Sequence, residues 1–171
     1  MGIASSLGKL RATVQAIPAY SKLLEQGSEA GAAAQEAEHA ALEARAMWLG
    51  AMVEAAYIVA QADGSVSEAE SGEIVEGLVQ LTDGSVEADE VVDMLERVAG
   101  AVEEEGAKAR FAEIASIIED TELRDAVYLV ACAVAWKGGG IGEKQGLCLR
   151  ALKDAFGYAE GKHQALLAKA R

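Results

Sequence analysis

Three carboxylates fall within the short stretch 62–70, at Asp63, Glu68 and Glu70. Carboxylate oxygens are hard ligands of the kind that calcium and magnesium prefer in proteins. The stretch is therefore a candidate site for a divalent cation such as calcium. It is not an EF-hand, because it lacks both the Asp-x-Asp-x-Asp-Gly spacing and the closing glutamate of that loop.

The same residues also predict a helix boundary. Asp63-Gly64 is a turn signal, since glycine tolerates the positive φ that a tight turn needs. Ser67 and Glu70 have the spacing of a capping box, in which each side chain accepts a hydrogen bond from the other residue's backbone amide. A metal site and a purely structural helix start are both open at this point.

Apolar residues on both sides of the acidic stretch predict the helices that must position it. A long helix is expected over about 36–61, followed by helices over about 67–81, 87–104, 123–135, 143–156 and 160–170. The segment 123–135 is almost continuously apolar, which predicts a buried central helix. One proline and long Ala-, Glu- and Leu-rich segments indicate an all-α fold.

The cysteines and histidines give little support to catalysis. Cys132 and Cys148 fall on apolar helix faces, so buried free thiols are expected rather than a disulfide or a zinc site. His39 and His163 are expected on the surface. The sequence contains no nucleophile elbow, His-Glu-x-x-His motif or phosphate-binding loop. We therefore predict that the protein is not an enzyme.

Residues 1–35 differ from the rest of the chain. They begin with a predicted amphipathic helix that Pro18 ends or kinks. Lys9 and Arg11 make this helix basic. Its apolar stripe consists of Ile3, Leu7, Leu10, Val14 and Ile17. Gly, Ser and Ala predominate over 26–35, which predicts a connector to a single domain over 36–171.

A basic amphipathic helix has three possible uses. It can lie on an anionic membrane surface, bind a protein partner, or fold back onto the acidic body of its own chain. The net charge of the whole chain is −13, and no acidic residue precedes Glu25, so the arm and the body have opposite signs. The residues leave all three uses open.

Charge and hydropathy exclude other classes of function. A net charge of −13 and a pI near 4.5 argue against nucleic acid as a partner, because such binding depends on Lys and Arg at phosphates. The sequence shows no signal peptide with a cleavage site, and no uncharged segment of about 20 residues that could span a bilayer. A cytoplasmic protein is predicted, with membrane association through the arm as the alternative.

The chain contains an internal duplication at an offset of 75 residues. Aligning the sequence with itself at this offset matches two predicted helix-turn-helix units without a gap. The matches concentrate at apolar positions and at the turn. The matched pairs include Val59 with Val134, Gly64 with Gly139, Val66 with Ile141, Ile74 with Leu149 and Leu81 with Phe156. The acidic residues are not repeated, since Gly138 corresponds to Asp63 and Gln145 to Glu70.

The Ala-Asp-Gly turn, the glutamate seven residues after its aspartate, and the repeated unit resemble the TerB-type tellurite-resistance domain over about 48–156. This resemblance implies a compact bundle of about seven helices with two pseudo-symmetric halves. It also implies a cytoplasmic stress-response role and an acidic surface that holds divalent cations and engages membrane-linked partners. Asp63 and Glu70 match the first acidic pair of the family, whereas its second pair is absent here, which predicts weak or no cation binding if both are needed.

The resulting functional prediction is a non-enzymatic interaction scaffold that responds to a divalent cation through one acidic turn. The alternative is a peripheral adaptor without a metal site, which binds a membrane or a protein partner through the amino-terminal helix. Fold resemblance alone does not choose between them, because one fold hosts many functions.

Overall fold

The computed structural model describes residues 2–25, 32–84, 86–137 and 140–171. Within these ranges the chain forms nine helices and no strand, so the prediction of an all-α fold is confirmed. The helices are α1 (Ile3–Gln15), α2 (Pro18–Glu25), α3 (Ala32–Gln61), α4 (Glu68–Leu81), α5 (Ala88–Glu105), α6 (Ala107–Ile117), α7 (Thr121–Ala135), α8 (Glu143–Ala155) and α9 (Glu160–Lys169). The nine described helices outnumber the roughly seven that were expected, because the two helices of the arm also pack into the bundle.

Helix α7 forms the centre of the bundle. Every residue from Ala126 to Ala135 is buried, as predicted for this segment. A helix that is apolar on all sides has to be covered on all sides. Helices α1, α2, α3, α8 and α9 all contact α7, and the second half of α3 is almost as deeply buried.

Helix α1 is folded back onto the body, which is one of the three uses open from the sequence. Its stripe is buried against α4 and α7. Leu7 lies over Gly77 of α4, where a built Cβ atom would come within 2.6 Å of Leu7 Cδ1. The Ile3 amide donates to the Glu73 carboxylate, and Arg11 pairs with Asp83.

The predicted connector over 26–35 differs in part from the structure. Residues 26–31 lie outside the described residues. Residues 32–35 belong to α3, which therefore begins before the expected start at about 36. Alanine and glutamine are good helix formers, so the composition of this end of the connector favours continuation of the helix.

Helix α9 brings His163 into the core, so the expectation of a surface histidine is wrong. The side chain is 6% exposed, and Nδ1 lies 2.6 Å from the Tyr128 hydroxyl. That hydroxyl is also 3.0 Å from the Leu149 carbonyl oxygen. Burial lowers the pKa of His163, with Lys153 and Arg150 acting in the same direction and Glu160 opposing them.

Two glycines of α4 should respond oppositely to alanine. Gly72→Ala should raise the free energy of unfolding by about 0.5–1 kcal/mol, because a built Cβ meets nothing within 4 Å and alanine favours the helix. Gly77→Ala should lower it by about 1–3 kcal/mol, because the new methyl group collides with Leu7 of α1. Urea denaturation of both variants measures the difference. If both variants were stabilised, α1 would not be packed on α4 as described.

Acidification should destabilise the fold through His163. The unfolded histidine titrates near its usual pKa, about 6.5, whereas the folded pKa is lower. The unfolded state therefore binds more protons, and the contribution to stability is lost as the pH falls below that range. Denaturation curves between pH 7.5 and 5.5 should show a smaller loss in His163→Gln than in the natural chain. Equal losses would show that His163 is not buried in its neutral form.

Candidate functional site

The acidic turn, residues 62–67, connects α3 to α4. Gly64 adopts a φ of 150° and its amide donates to the Gln61 carbonyl at 2.9 Å. Ser67 is the N-cap of α4, and its hydroxyl accepts from the Glu70 amide at 3.2 Å. The Glu70 carboxylate accepts from the Ser67 amide at 3.0 Å. The predicted capping box is therefore confirmed.

Glu70 also has a second partner that the sequence did not indicate. Its Oε1 atom accepts from Lys137, whereas Oε2 is held by Ser67. Both side chains of the ion pair are 26% exposed. Lys137 follows the end of α7, so this pair joins the start of α4 to the second turn of the duplication.

The Asp63 side chain of the acidic turn lies next to the amino-terminal end of α8. It is exposed, and a Cβ atom built on Gly142 would be 3.6 and 3.8 Å from its two carboxylate oxygens. Gly142 is the N-cap of α8, whose positive helix end favours a nearby carboxylate. The pKa of the Cys148 thiol is raised by burial and further by the charge of Asp63. Each turn thus contacts the helix that follows the other turn.

The second turn repeats the capping pattern without a carboxylate. Gln145, which corresponds to Glu70, accepts from the Gly142 amide through Oε1 at 3.1 Å. It is 3% exposed, and within the described ranges its Nε2 atom has no hydrogen-bond partner. Gly138, which corresponds to Asp63, lies outside the described residues.

The three predicted metal ligands occupy different positions. Asp63 faces α8, Glu70 is engaged by Ser67 and Lys137, and Glu68 lies on the edge of a groove between α4 and α5. In the described part of the chain, no group of three or more His, Cys, Asp or Glu side chains is placed to hold a metal ion. Cation binding stays a prediction, and the capping geometry accounts for Ser67 and Glu70 without it.

The predicted membrane- or partner-binding residues of the arm lie mostly inside the fold. Ile3, Leu7, Leu10 and Val14 are buried, and Ile17 is half-buried. Lys9 and Arg11 are both exposed, and Arg11 is paired with Asp83. Binding through the stripe would therefore require α1 to leave α4 and α7. None of the described helices is both long and apolar enough to cross a membrane.

An exposed groove of about 990 Å³ runs between α4 and α5. We refer to it as the α4–α5 groove. Its lining is mainly apolar and includes Tyr57 of α3, and Val92 lies at the rim with 41% of its surface exposed. The charged residues that line it are Glu68, Glu76 and Glu96. No lysine or arginine of the described ranges lines the groove.

Sequence reasoning did not identify this groove, although the sequence contains a signal for it. Apolar residues occur in adjacent pairs on α4 and α5, such as Ile74-Val75 and Val91-Val92. Adjacent residues of a helix point about 100° apart. The first of each pair is buried in the core, whereas Val75 and Val92 line the groove. Such pairs indicate an apolar face wider than one core contact requires.

Cys132 and Cys148 are both free, as predicted, with Cys132 fully buried and Cys148 half-buried. Burial raises the pKa of the Cys132 thiol well above its usual range. A thiol reacts as the thiolate, so Cys132 is in an unreactive setting.

No protein-family model, curated protein or solved structure matches the chain. The TerB resemblance accordingly stays a prediction from the residues. The helix starts agree with the duplication, since α4 and α8 begin 75 residues apart, at Glu68 and Glu143.

The acidic turn should bind calcium weakly. Glu70 is already engaged by a lysine and a capping box, and calcium requires roughly six to eight oxygen ligands. Calorimetric titration of calcium, then magnesium, should give no saturation at micromolar concentrations and the same heats in Asp63→Ala. Saturable heat that disappears in Asp63→Ala would contradict this and identify a cation site in the turn.

Proposed function

We propose that the chain is a non-enzymatic, TerB-like scaffold that binds a protein partner in the α4–α5 groove. The observation that carries the proposal is the groove itself, which combines an exposed apolar floor with an entirely acidic set of charged residues along it. Exposed apolar surfaces rimmed by polar residues are typical of interaction sites. The cytoplasmic stress-response role forms part of the proposal through the resemblance.

The repeated helices support the TerB-like part of the proposal. At an offset of 75 residues, α4 corresponds to α8 over almost its whole length. Buried apolar positions recur at the same offset, as shown by Ile74 with Leu149 and by Val59 with Val134. The reciprocal contacts of the two turns are what two pseudo-symmetric halves would make.

The location of the perturbed ionisable groups supports a non-enzymatic role. Burial raises the pKa of Tyr128, Tyr158 and Cys132, and all three side chains lie in the packed core. None of them lines the α4–α5 groove. Catalytic groups are usually found where a perturbed pKa and an accessible cleft coincide.

A photocrosslinking comparison tests the scaffold function. Benzoylphenylalanine at Val92 in the full chain should crosslink to a specific protein in the cells that produce it, because Val92 lies at the exposed rim of the groove. The same group at Leu147, which is 56% exposed on α8, is the matched control. The captured protein, once identified and purified, should bind the natural chain and Leu147→Asp equally but bind Val92→Asp at least ~10-fold more weakly.

The proposal would be wrong if both positions gave the same adducts. It would also be wrong if the purified partner bound Val92→Asp as tightly as the natural chain. Circular dichroism of the variants verifies that the helices are retained.

A further inference from the structure

The dimensions of the α4–α5 groove match one short helix. Its lining residues extend from Glu68 to Gln80 on α4 and from Ala88 to Ala99 on α5. At about 1.5 Å per residue these walls are roughly 17 Å long, which is the length of a helix of about three turns. A helix satisfies its own backbone hydrogen bonds, whereas an extended peptide on an apolar floor would leave amides and carbonyls unpaired.

Charge indicates the composition of that helix. Glu68 and Glu76 lie on the α4 wall and Glu96 on the α5 wall, so carboxylates border the groove on both sides. Lysine and arginine can lay their aliphatic stems along an apolar wall while their charged ends reach such carboxylates. Cations on both flanks of an apolar stripe are therefore complementary to this groove.

A neighbouring side of α4 already holds a helix of this kind. Helix α1 packs its apolar stripe against α4, with Leu7 over Gly77. At the edge of this contact, the cation of Arg11 pairs with Asp83. The packing of α1 on α4 is therefore an example, within the same chain, of a basic amphipathic helix bound to α4.

We infer that the occupant of the α4–α5 groove is one amphipathic helix of a partner protein, about three turns long, with Lys or Arg on both flanks of its apolar stripe. This inference rests on the proposed scaffold function and specifies the partner. A second copy of the chain is disfavoured, because each copy has a net charge of −13 and the apolar stripe of its basic helix α1 is buried in its own fold.

Fluorescence anisotropy with synthetic peptides tests this inference on the full chain. The first probe is a labelled peptide of about 14 residues with Leu at i, i+3, i+4 and i+7 and Lys on both flanks. The second has the same composition in scrambled order, and the third replaces every Lys with Glu. The first peptide should bind at least ~10-fold more tightly than either of the others.

Variants of the chain locate the binding. Val92→Asp should weaken binding of the first peptide at least ~10-fold, and Leu147→Asp should leave it unchanged. Glu76→Gln combined with Glu96→Gln should weaken binding about 3-fold or more and reduce its salt dependence. Glu103→Gln combined with Glu104→Gln changes the net charge equally at exposed positions outside the groove, and should have no effect.

Three results would overturn the inference. Equal binding of the scrambled peptide would show that charge alone attracts the probe. Tighter binding of the Glu peptide, still weakened by Val92→Asp, would exclude a basic occupant while leaving the groove as a docking surface. Failure of both striped peptides would exclude an amphipathic helix as the occupant, and the crosslinking at Val92 would then decide separately whether the scaffold function survives.

Discussion

Burial of α7 on every side is the constraint on which the rest of the structure depends. Ten consecutive residues of this helix, from Ala126 to Ala135, are buried, and five helices surround it. Leaving any one side uncovered would expose apolar surface to water, at a free-energy cost of about 25 cal/mol per Å². This explains why the amino-terminal arm does not extend from the body in this structure, since α1 covers part of α7 as well as α4.

The acidic turn joins the two repeated units through contacts of its carboxylates. Glu70 caps α4 and pairs with Lys137 after α7, while Asp63 lies near the start of α8. A largely buried ion pair between Glu54 of α3 and Arg110 of α6 connects the first repeated unit to α6, which lies between the two units in the sequence. Removing Arg110 would leave the nearly buried Glu54 carboxylate without its partner, so breaking this pair would destabilise the fold.

The other helices cover α7 and the inner side of α4, whereas the outer side of α4 stays partly open to solvent. Its Val75 and Val79 meet α5 only in part, and the groove between the two helices stays open to solvent. The chain's acidic composition places carboxylates along this opening. In our proposal, this negative charge is what favours a cationic partner in the groove.

The local features of this protein could be predicted from its sequence, because they depend on neighbouring residues. The helices, the end of α1 before Pro18, the capping box at Ser67 and the buried α7 all follow from periodicity and backbone geometry. The position of α1, the burial of His163 and the Lys137–Glu70 pair depend on residues distant in the sequence. Only the tertiary structure decided these, because an apolar stripe shows that a helix face will be covered but not which partner will cover it.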